Sequence, residues 1–167
     1  MQTAVVRTAR RQDCPAINEI HNFYVANTTA TFLLEPQTLE ERHDWFDGRS
    51  AAHPVLVADI DRRVVGWASL SAFRGRPAYA RTAEVGVYVH HDFHRRGIGR
   101  LLVDAIVERG RDAGLHVIVG GACSESTASL GLLEACGFQR VAHFHQVGFK
   151  FGRWLDVIFL EQILPSR

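Results

Sequence analysis

The stretch that decides the fold reads Glu84-Val85-Gly86-Val87-Tyr88-Val89, then His90-His91-Asp92-Phe93-His94, then Arg95-Arg96-Gly97-Ile98-Gly99-Arg100. Its first segment alternates valine with other side chains, and β-branched residues at period two mark a half-buried strand. Past the arginines the period lengthens. Ile98, Leu101, Leu102, Ala105 and Ile106 recur at helical spacing, and Gly114 stands where that helix should stop. A strand therefore runs through a basic, glycine-bearing loop directly into a helix start. The unpaired backbone N–H groups and positive dipole end of such a start suit a phosphate or pyrophosphate. Glycines let the backbone approach such a ligand closely, and the arginines add charge and forked donors.

Upstream of this unit, Ser71 to Arg81 reads as a loop holding Phe73, Arg74, Arg76, Pro77 and Tyr79. Before it, Val55 to Ile60, a turn at Asp61-Arg62-Arg63, and Val64 to Leu70 make a β-hairpin. Thr38 with Glu41 is a capping-box pair opening a helix that carries Leu39, Trp45 and Phe46. A loop from Asn27 to Gln37, with Phe32 and Pro36, precedes that helix. Asp13 is the expected N-cap of a first helix, with Pro15 in its first turn and Ile17, Ile20 and Tyr24 on its buried face. Ala4 to Thr8 forms the first strand. Downstream, Leu115 to Ala122 is an apolar strand ending in Gly120-Gly121, and Ser126 to Cys136 is a short helix stopped by Gly137. Phe138 to Val147 and Trp154 to Leu164 are the last two strands, joined near Phe151-Gly152-Arg153. The order β-α-α-β-β-β-α-β-α-β-β predicts one mixed α/β domain over residues 1–167, without linker, repeat or low-complexity segment.

The chain has 167 residues, 47% of them hydrophobic, enough for a full core. A net charge of +1 gives no reason to expect binding to nucleic acid or membrane through bulk charge. Cys14, Cys123 and Cys136 are odd in number, widely spaced and without a Cys-x-x-Cys pair, which fits a reducing compartment. Met1 to Arg11 is short, polar and strand-like rather than a signal peptide, and no apolar run approaches the roughly 18 residues of a membrane span. The expectation is a soluble, cytoplasmic protein.

The strand, the Arg95-Arg96-Gly97-Ile98-Gly99 loop and the helix resemble the acetyl-coenzyme A motif of the GNAT superfamily of N-acetyltransferases. Three further stretches resemble one branch of it, the phosphinothricin and methionine sulfoximine/sulfone acetyltransferases. They are Asn27-Thr28-Thr29-Ala30-Thr31-Phe32 with Glu35-Pro36-Gln37-Thr38, then Thr82 to Val89, then Val147-Gly148-Phe149-Lys150-Phe151-Gly152-Arg153-Trp154-Leu155-Asp156. The resemblance implies a mostly antiparallel central sheet that splays open where acetyl-coenzyme A enters between two parallel strands. It also implies direct transfer in a ternary complex, and a homodimer with the Val147 to Asp156 region near the shared interface. Val87, Tyr88 and Val89, the loop residues His94, Arg95, Arg96, Gly97, Ile98, Gly99 and Arg100, and Ser126 and Ser129 are the implied cofactor contacts.

Glu84 opens the organising strand and shares a face with Gly86 and Tyr88 by alternation. Read alone it is an ordinary strand-end carboxylate facing solvent. In the resembling family a glutamate at the matching place is the general base, and the chemistry agrees. An amine near pKa 8 must lose a proton before it attacks a thioester, and a partly buried carboxylate can accept it directly or through water. Arg74 and Arg76 are, by default, solvated loop residues. Two arginines one residue apart, feeding the Glu84 strand, can also clamp a carboxylate. With Phe32, Tyr79 and Val85 they are the expected acceptor-side residues. The acceptor is then a small amino-acid-like amine. The alternatives are another amine, such as a protein terminus or a polyamine, and a non-catalytic acyl-coenzyme A binding module.

Two departures from the family stand out. His94 replaces the usual Gln or Arg at the start of the cofactor motif. Ser126 and Leu133 stand where relatives carry an Asn and a His or Tyr, so no donor to the departing thiolate is assigned. The histidine run His90 to His94 lacks an i, i+4 helical pair and neighbouring cysteines or glutamates, and no metal is expected there. His143 and His145 share one strand face with nothing else in the sequence to support a site.

Overall fold

Seven strands and four helices follow one another in a computed structural model that describes residues 3–165. They are β1 (Val5–Thr8), α1 (Cys14–Asn27), α2 (Leu39–Asp47), β2 (Val55–Ile60), β3 (Arg63–Ala72), β4 (Thr82–Val89), α3 (Ile98–Asp112), β5 (Val117–Cys123), α4 (Thr127–Ala135), β6 (Gln139–Lys150) and β7 (Arg153–Ile163). This is the order read from the sequence, and most ends agree within a residue or two. Three short 3-10 turns, Arg11–Asp13, Pro77–Tyr79 and His91–Phe93, had no signature of their own. Asp13 is the N-cap residue of α1, as read, but its side chain makes no capping bond to that helix: its carboxylate accepts from Arg7 at 2.8 and 2.9 Å and from the Arg10 amide at 2.7 Å. A two-pronged guanidinium outcompetes a single helix N–H for that carboxylate, so Asp13 ties β1 to the entry of α1.

The strands form one sheet in the order β1-β2-β3-β4-β5-β7-β6, in which only β4 and β5 run parallel. One face is covered by α1 and α2 over Ile17, Ile20, Val55, Val57 and Trp67. The other is covered by α3 and α4 over Leu56, Ala68, Leu70, Ile118 and Leu160. The apolar stripe of α3 (Ile98, Leu102, Val103, Ile106, Val107) is nowhere more than 6% exposed. At about 1.5–3 kcal/mol for each such side chain, that stripe fixes the helix and therefore its N-terminus. Gly114 adopts φ 81° just beyond the C-cap Ala113, the left-handed stop expected from the sequence.

The parallel pair is short. Thr82 pairs with Val117, Ala83 with Ile118 and Glu84 with Val119, and there the ladder ends. β4 continues to Val89 and β5 to Cys123 without meeting again. The sheet thus opens into a fork, and Glu84 stands at its base.

Candidate active site

The fork opens onto a cavity of about 840 Å³ whose wall is continuous from Glu84 to the start of α3. Alternation along β4, with its register on β3, sets the near wall. Glu84 lies opposite Ser71, Gly86 opposite Ser69 and Tyr88 opposite Trp67, all on the α1–α2 side. Tyr88 is held among aromatic rings: stacked on Trp67 at 4.9 Å, and edge-on to His21 at 4.8 Å and to Tyr24 at 5.3 Å. Glu84 is half-buried, and among the described residues no cation or hydrogen-bond donor engages its carboxylate. Burial alone raises its pKa above the usual glutamate range.

The opposite end of the cavity is built by the loop and the helix start. Arg95 (φ 59°) and Gly97 (φ 77°) are both left-handed, a backbone shape that gathers N–H groups into an anion-binding concavity. Gly97 is the N-cap of α3, and no side chain caps the first turn. The orphan N–H groups of that turn therefore remain for a ligand, at the positive end of a 15-residue helix. A Cβ at Gly97 would meet nothing within 4 Å, so the glycine answers to its backbone conformation and not to protein packing. These features fit the pyrophosphate of coenzyme A.

Of the residues singled out in the sequence, Glu84, Val85, Val87, Tyr88, Val89, His94, Arg95, Gly97, Ile98, Gly99, Arg100, Ser126 and Ser129 all line this one cavity. His94 turns inward: its Nε2 lies 2.7 Å from Tyr24 Oη and 3.1 Å from the Val89 carbonyl. With the Tyr24 hydroxyl donating to Val89 O, the histidine is Nε2-protonated and that nitrogen is spent on the protein. Arg96 stands outside the lining, its guanidinium 4.8 Å over the Phe93 ring.

The expected acceptor-side residues are more dispersed. Arg74, Arg76 and Tyr79 are exposed on the β3–β4 loop and lie outside the lining; Arg74 rests 5.3 Å over Phe73, and Tyr79 meets Phe73 edge-on. From the 28–37 loop, Ala30 and Leu33 reach the cavity, whereas the Phe32 ring packs against Gly148, where an added Cβ would lie 2.7 Å from Phe32 Cδ2. That loop is clasped by the β6–β7 turn. Lys150 Nζ donates to Thr31 O at 2.8 Å, and Thr29 Oγ1 donates to Glu125, which Arg153 grips at 2.6 and 2.7 Å.

Sequence reasoning missed the part of the cavity wall that Arg42 and His21 build. Arg42 is 2% exposed and has no carboxylate partner among the described residues. It donates to His21 Nδ1 at 2.7 Å, to Gln37 Oε1 at 2.6 Å and to Asn18 Oδ1 at 3.3 Å, and lies 4.6 Å over Trp45. Burial, with the nearby Arg42 charge, pulls the His21 pKa down to about 4, so the imidazole is neutral. An arginine four residues past an N-cap carries no signal that it will be buried.

The model of the Acetyltransferase (GNAT) family matches residues 4–138. L-amino acid N-acyltransferase MnaT of Escherichia coli is 40% identical over 163 residues, 97% of this chain and 95% of that protein. An L-methionine sulfoximine/L-methionine sulfone acetyltransferase of Pseudomonas aeruginosa is 41% identical over 168 residues, 99% of this chain and 98% of that protein. Among solved structures, a phosphinothricin acetyltransferase from Sinorhizobium meliloti in complex with acetyl-coenzyme A superposes with a TM-score of 0.93. It is 32% identical, over 97% of this chain and 89% of that one.

Proposed function

Because the chain belongs to the GNAT family of acetyltransferases and is an acetyl-coenzyme A dependent N-acetyltransferase, we propose that its acceptor is the amino group of a small amino-acid-like compound and that Glu84 is the general base. The observation that carries this reading is the unpartnered, half-buried carboxylate at the base of the fork. In the proposed reaction, acetyl-coenzyme A lies along the open edge of β4 with its pyrophosphate at the α3 start. The amine enters from the α1–α2 side. Glu84 takes one proton from the ammonium, directly or through water. The freed nitrogen attacks the thioester carbonyl, the C–N bond forms and the C–S bond breaks. Coenzyme A leaves as thiolate and the amide nitrogen sheds its second proton. Transfer is direct, since none of the three cysteines lines the cavity.

An anionic group on the acceptor agrees with a wall that carries the Arg42 charge but no carboxylate other than Glu84. The same wall disfavours a polyamine, whose extra ammonium groups would be repelled there. Arg74 and Arg76, with Tyr79, are proposed to reach over the bound acceptor from the β3–β4 loop, and Phe32 to brace the loop that closes it. The chain is further proposed to act in the cytoplasm as a homodimer. Phe144, Val147, Phe149, Phe151 and Trp154 expose half or more of their surface on one hairpin, a concentration of apolar area that favours burial against a second copy. Acetyl transfer to a panel comprising methionine sulfone, phosphinothricin, ordinary amino acids and polyamines tests the acceptor. Faster turnover of a polyamine than of every amino-acid-like amine would overturn the proposal. Sedimentation at micromolar concentration tests the dimer.

A further inference from the structure

We propose that the β6–β7 hairpin carries a binding site for a divalent transition-metal ion of the zinc class, formed by His143 Nε2, His145 Nδ1 and Asp156 Oδ2. The inference is independent of acetyl transfer, because none of the three lines the cavity at the fork. It starts from strand alternation, which puts His143 and His145 on one side of β6 and Phe144 on the other. The third ligand comes from β7 through an irregularity that sequence periodicity could not show. Phe144 pairs with Val157 and Gly148 with Leu155, so three residues of β6 stand opposite Asp156 alone. Gln146, at φ 53°, makes the bend. The bulge folds His145 back over the Asp156 carboxylate.

The ligand atoms are already gathered. Asp156 Oδ2 is 2.8 Å from His143 Nε2 and 3.0 Å from His145 Nδ1, and the three lie within 4.8 Å of one another. Zinc binds imidazole and carboxylate at about 2.0–2.2 Å, so a tetrahedral ion holds neighbouring ligand atoms about 3.4 Å apart. The two imidazole nitrogens would each move a few tenths of an ångström away from Asp156 Oδ2 to admit the ion. Asp156 Oδ1 is held by the Gln146 amide at 2.9 Å, the kind of outer contact that orients a ligating carboxylate and leaves its other oxygen free. In a single chain the side chains of His143, His145 and Asp156 are 45%, 74% and 28% exposed, so an ion can reach the three ligand atoms of an isolated chain. Two imidazoles with one carboxylate suit zinc, nickel or copper better than magnesium or calcium, which prefer all-oxygen shells.

The other histidine cluster lacks these properties. His90 Nδ1 already accepts from the Asp92 amide, and its Nε2 faces the Arg63 guanidinium at 3.3 Å, a charge that would repel a cation. At the hairpin an ion would tie β6 to β7 across their least regular register. Folded chains that bind it gain stability by mass action.

Calorimetric titration of untagged, chelator-stripped protein with zinc chloride tests the site. One ion per chain is expected at micromolar affinity, together with a zinc-dependent rise in Tm. His143→Gln and His145→Gln should each weaken binding about tenfold or more, and the double variant should lose the Tm response. Both residues are exposed, so these variants keep the fold, which circular dichroism verifies. Zinc uptake equal in the wild type and the double variant would mean adventitious binding elsewhere and would overturn the site. Absence of heat and of a Tm shift in the wild type would overturn it equally.

Discussion

Replacing Glu84 by Gln should move activity and stability in opposite directions. The fork base is half-buried and offers the carboxylate no cation, so its charged form is disfavoured and its pKa raised. In the unfolded chain the same group titrates at its ordinary, lower value. Between the two values the native state holds more protons, so stability falls as pH rises through that window, and near pH 8 the full penalty is present. A neutral isostere removes it. Glu84→Gln is therefore expected to raise Tm at pH 8, with the gain shrinking as the pH approaches 4. Catalysis should respond the other way. A positioned base contributes about a hundred- to ten-thousandfold, or about 2.7–5.4 kcal/mol on the barrier. Turnover should fall by that factor while calorimetric affinity for acetyl-coenzyme A stays within about twofold, since the pyrophosphate end of the cavity is untouched. The residual rate should rise with pH until the acceptor amine itself deprotonates. Thiol-release kinetics and thermal melts at pH 5 and 8 measure each part. Wild-type turnover in the variant would refute the base assignment, and a lower Tm at pH 8 would refute the desolvation argument.

Acid should reach the fold through His21. Its pKa falls from 6.5 to about 4, which at 1.36 kcal/mol per pH unit corresponds to about 3 kcal/mol of stability lost as pH drops through that window. His21→Gln, which keeps an acceptor for Arg42, should flatten this part of the urea-unfolding stability profile. Gly97→Ala should cost about 1–2 kcal/mol of stability from its left-handed backbone, and Gly97→Asn less. Both should weaken acetyl-coenzyme A binding by calorimetry. Arg74→Ala should raise the KM for a carboxylate-bearing amine about ten- to a hundredfold and leave a carboxylate-free analogue nearly unaffected. Ser129→Ala should lower kcat by no more than about thirtyfold in steady-state assays.

The parts of this molecule that were legible in the sequence are those fixed by short-range patterns. Valines at period two, the change to helical period after the arginines, and Gly114 together specified β4, the cofactor loop and α3. The loop glycine Gly97 likewise marked the left-handed turn that opens α3 without a side-chain cap. What the sequence concealed depends on contacts far apart in the chain. Arg42 reads as one more polar residue in a helix rich in them. It is buried only because Asn18, His21 and Gln37 supply neutral acceptors and Trp45 and Trp67 supply faces for its charge. Asp156 is ten residues from Gln146, and nothing local announces that a bulge will bring its carboxylate to His143 and His145. The same holds for Asp13, whose side chain reads as a capping group until β1 delivers Arg7 beside it.

Leu133 bears on the second half of the proposed reaction. It packs where a Cβ on Gly120 would come within 2.7 Å of its Cδ1, beside Val85, and presents an apolar side chain to the cavity from α4. No proton can come from that side chain. Of the polar side chains of α4 and its N-cap, the Ser126 and Ser129 hydroxyls line the cavity, and Ser126 makes no side-chain cap at the helix start. A thiol of pKa about 8.5 lies about one and a half pH units above neutrality. Protonating it in step with C–S cleavage therefore lowers the barrier by about 2 kcal/mol at most, and the α4 dipole supplies about 0.3–1 kcal/mol to the anion without a proton. The ammonium of the acceptor, in contrast, cannot attack at all until its proton is removed. In the proposed reaction this asymmetry assigns the demanding proton transfer to Glu84 and lets the thiolate depart as an anion, a course that Leu133 would not hinder.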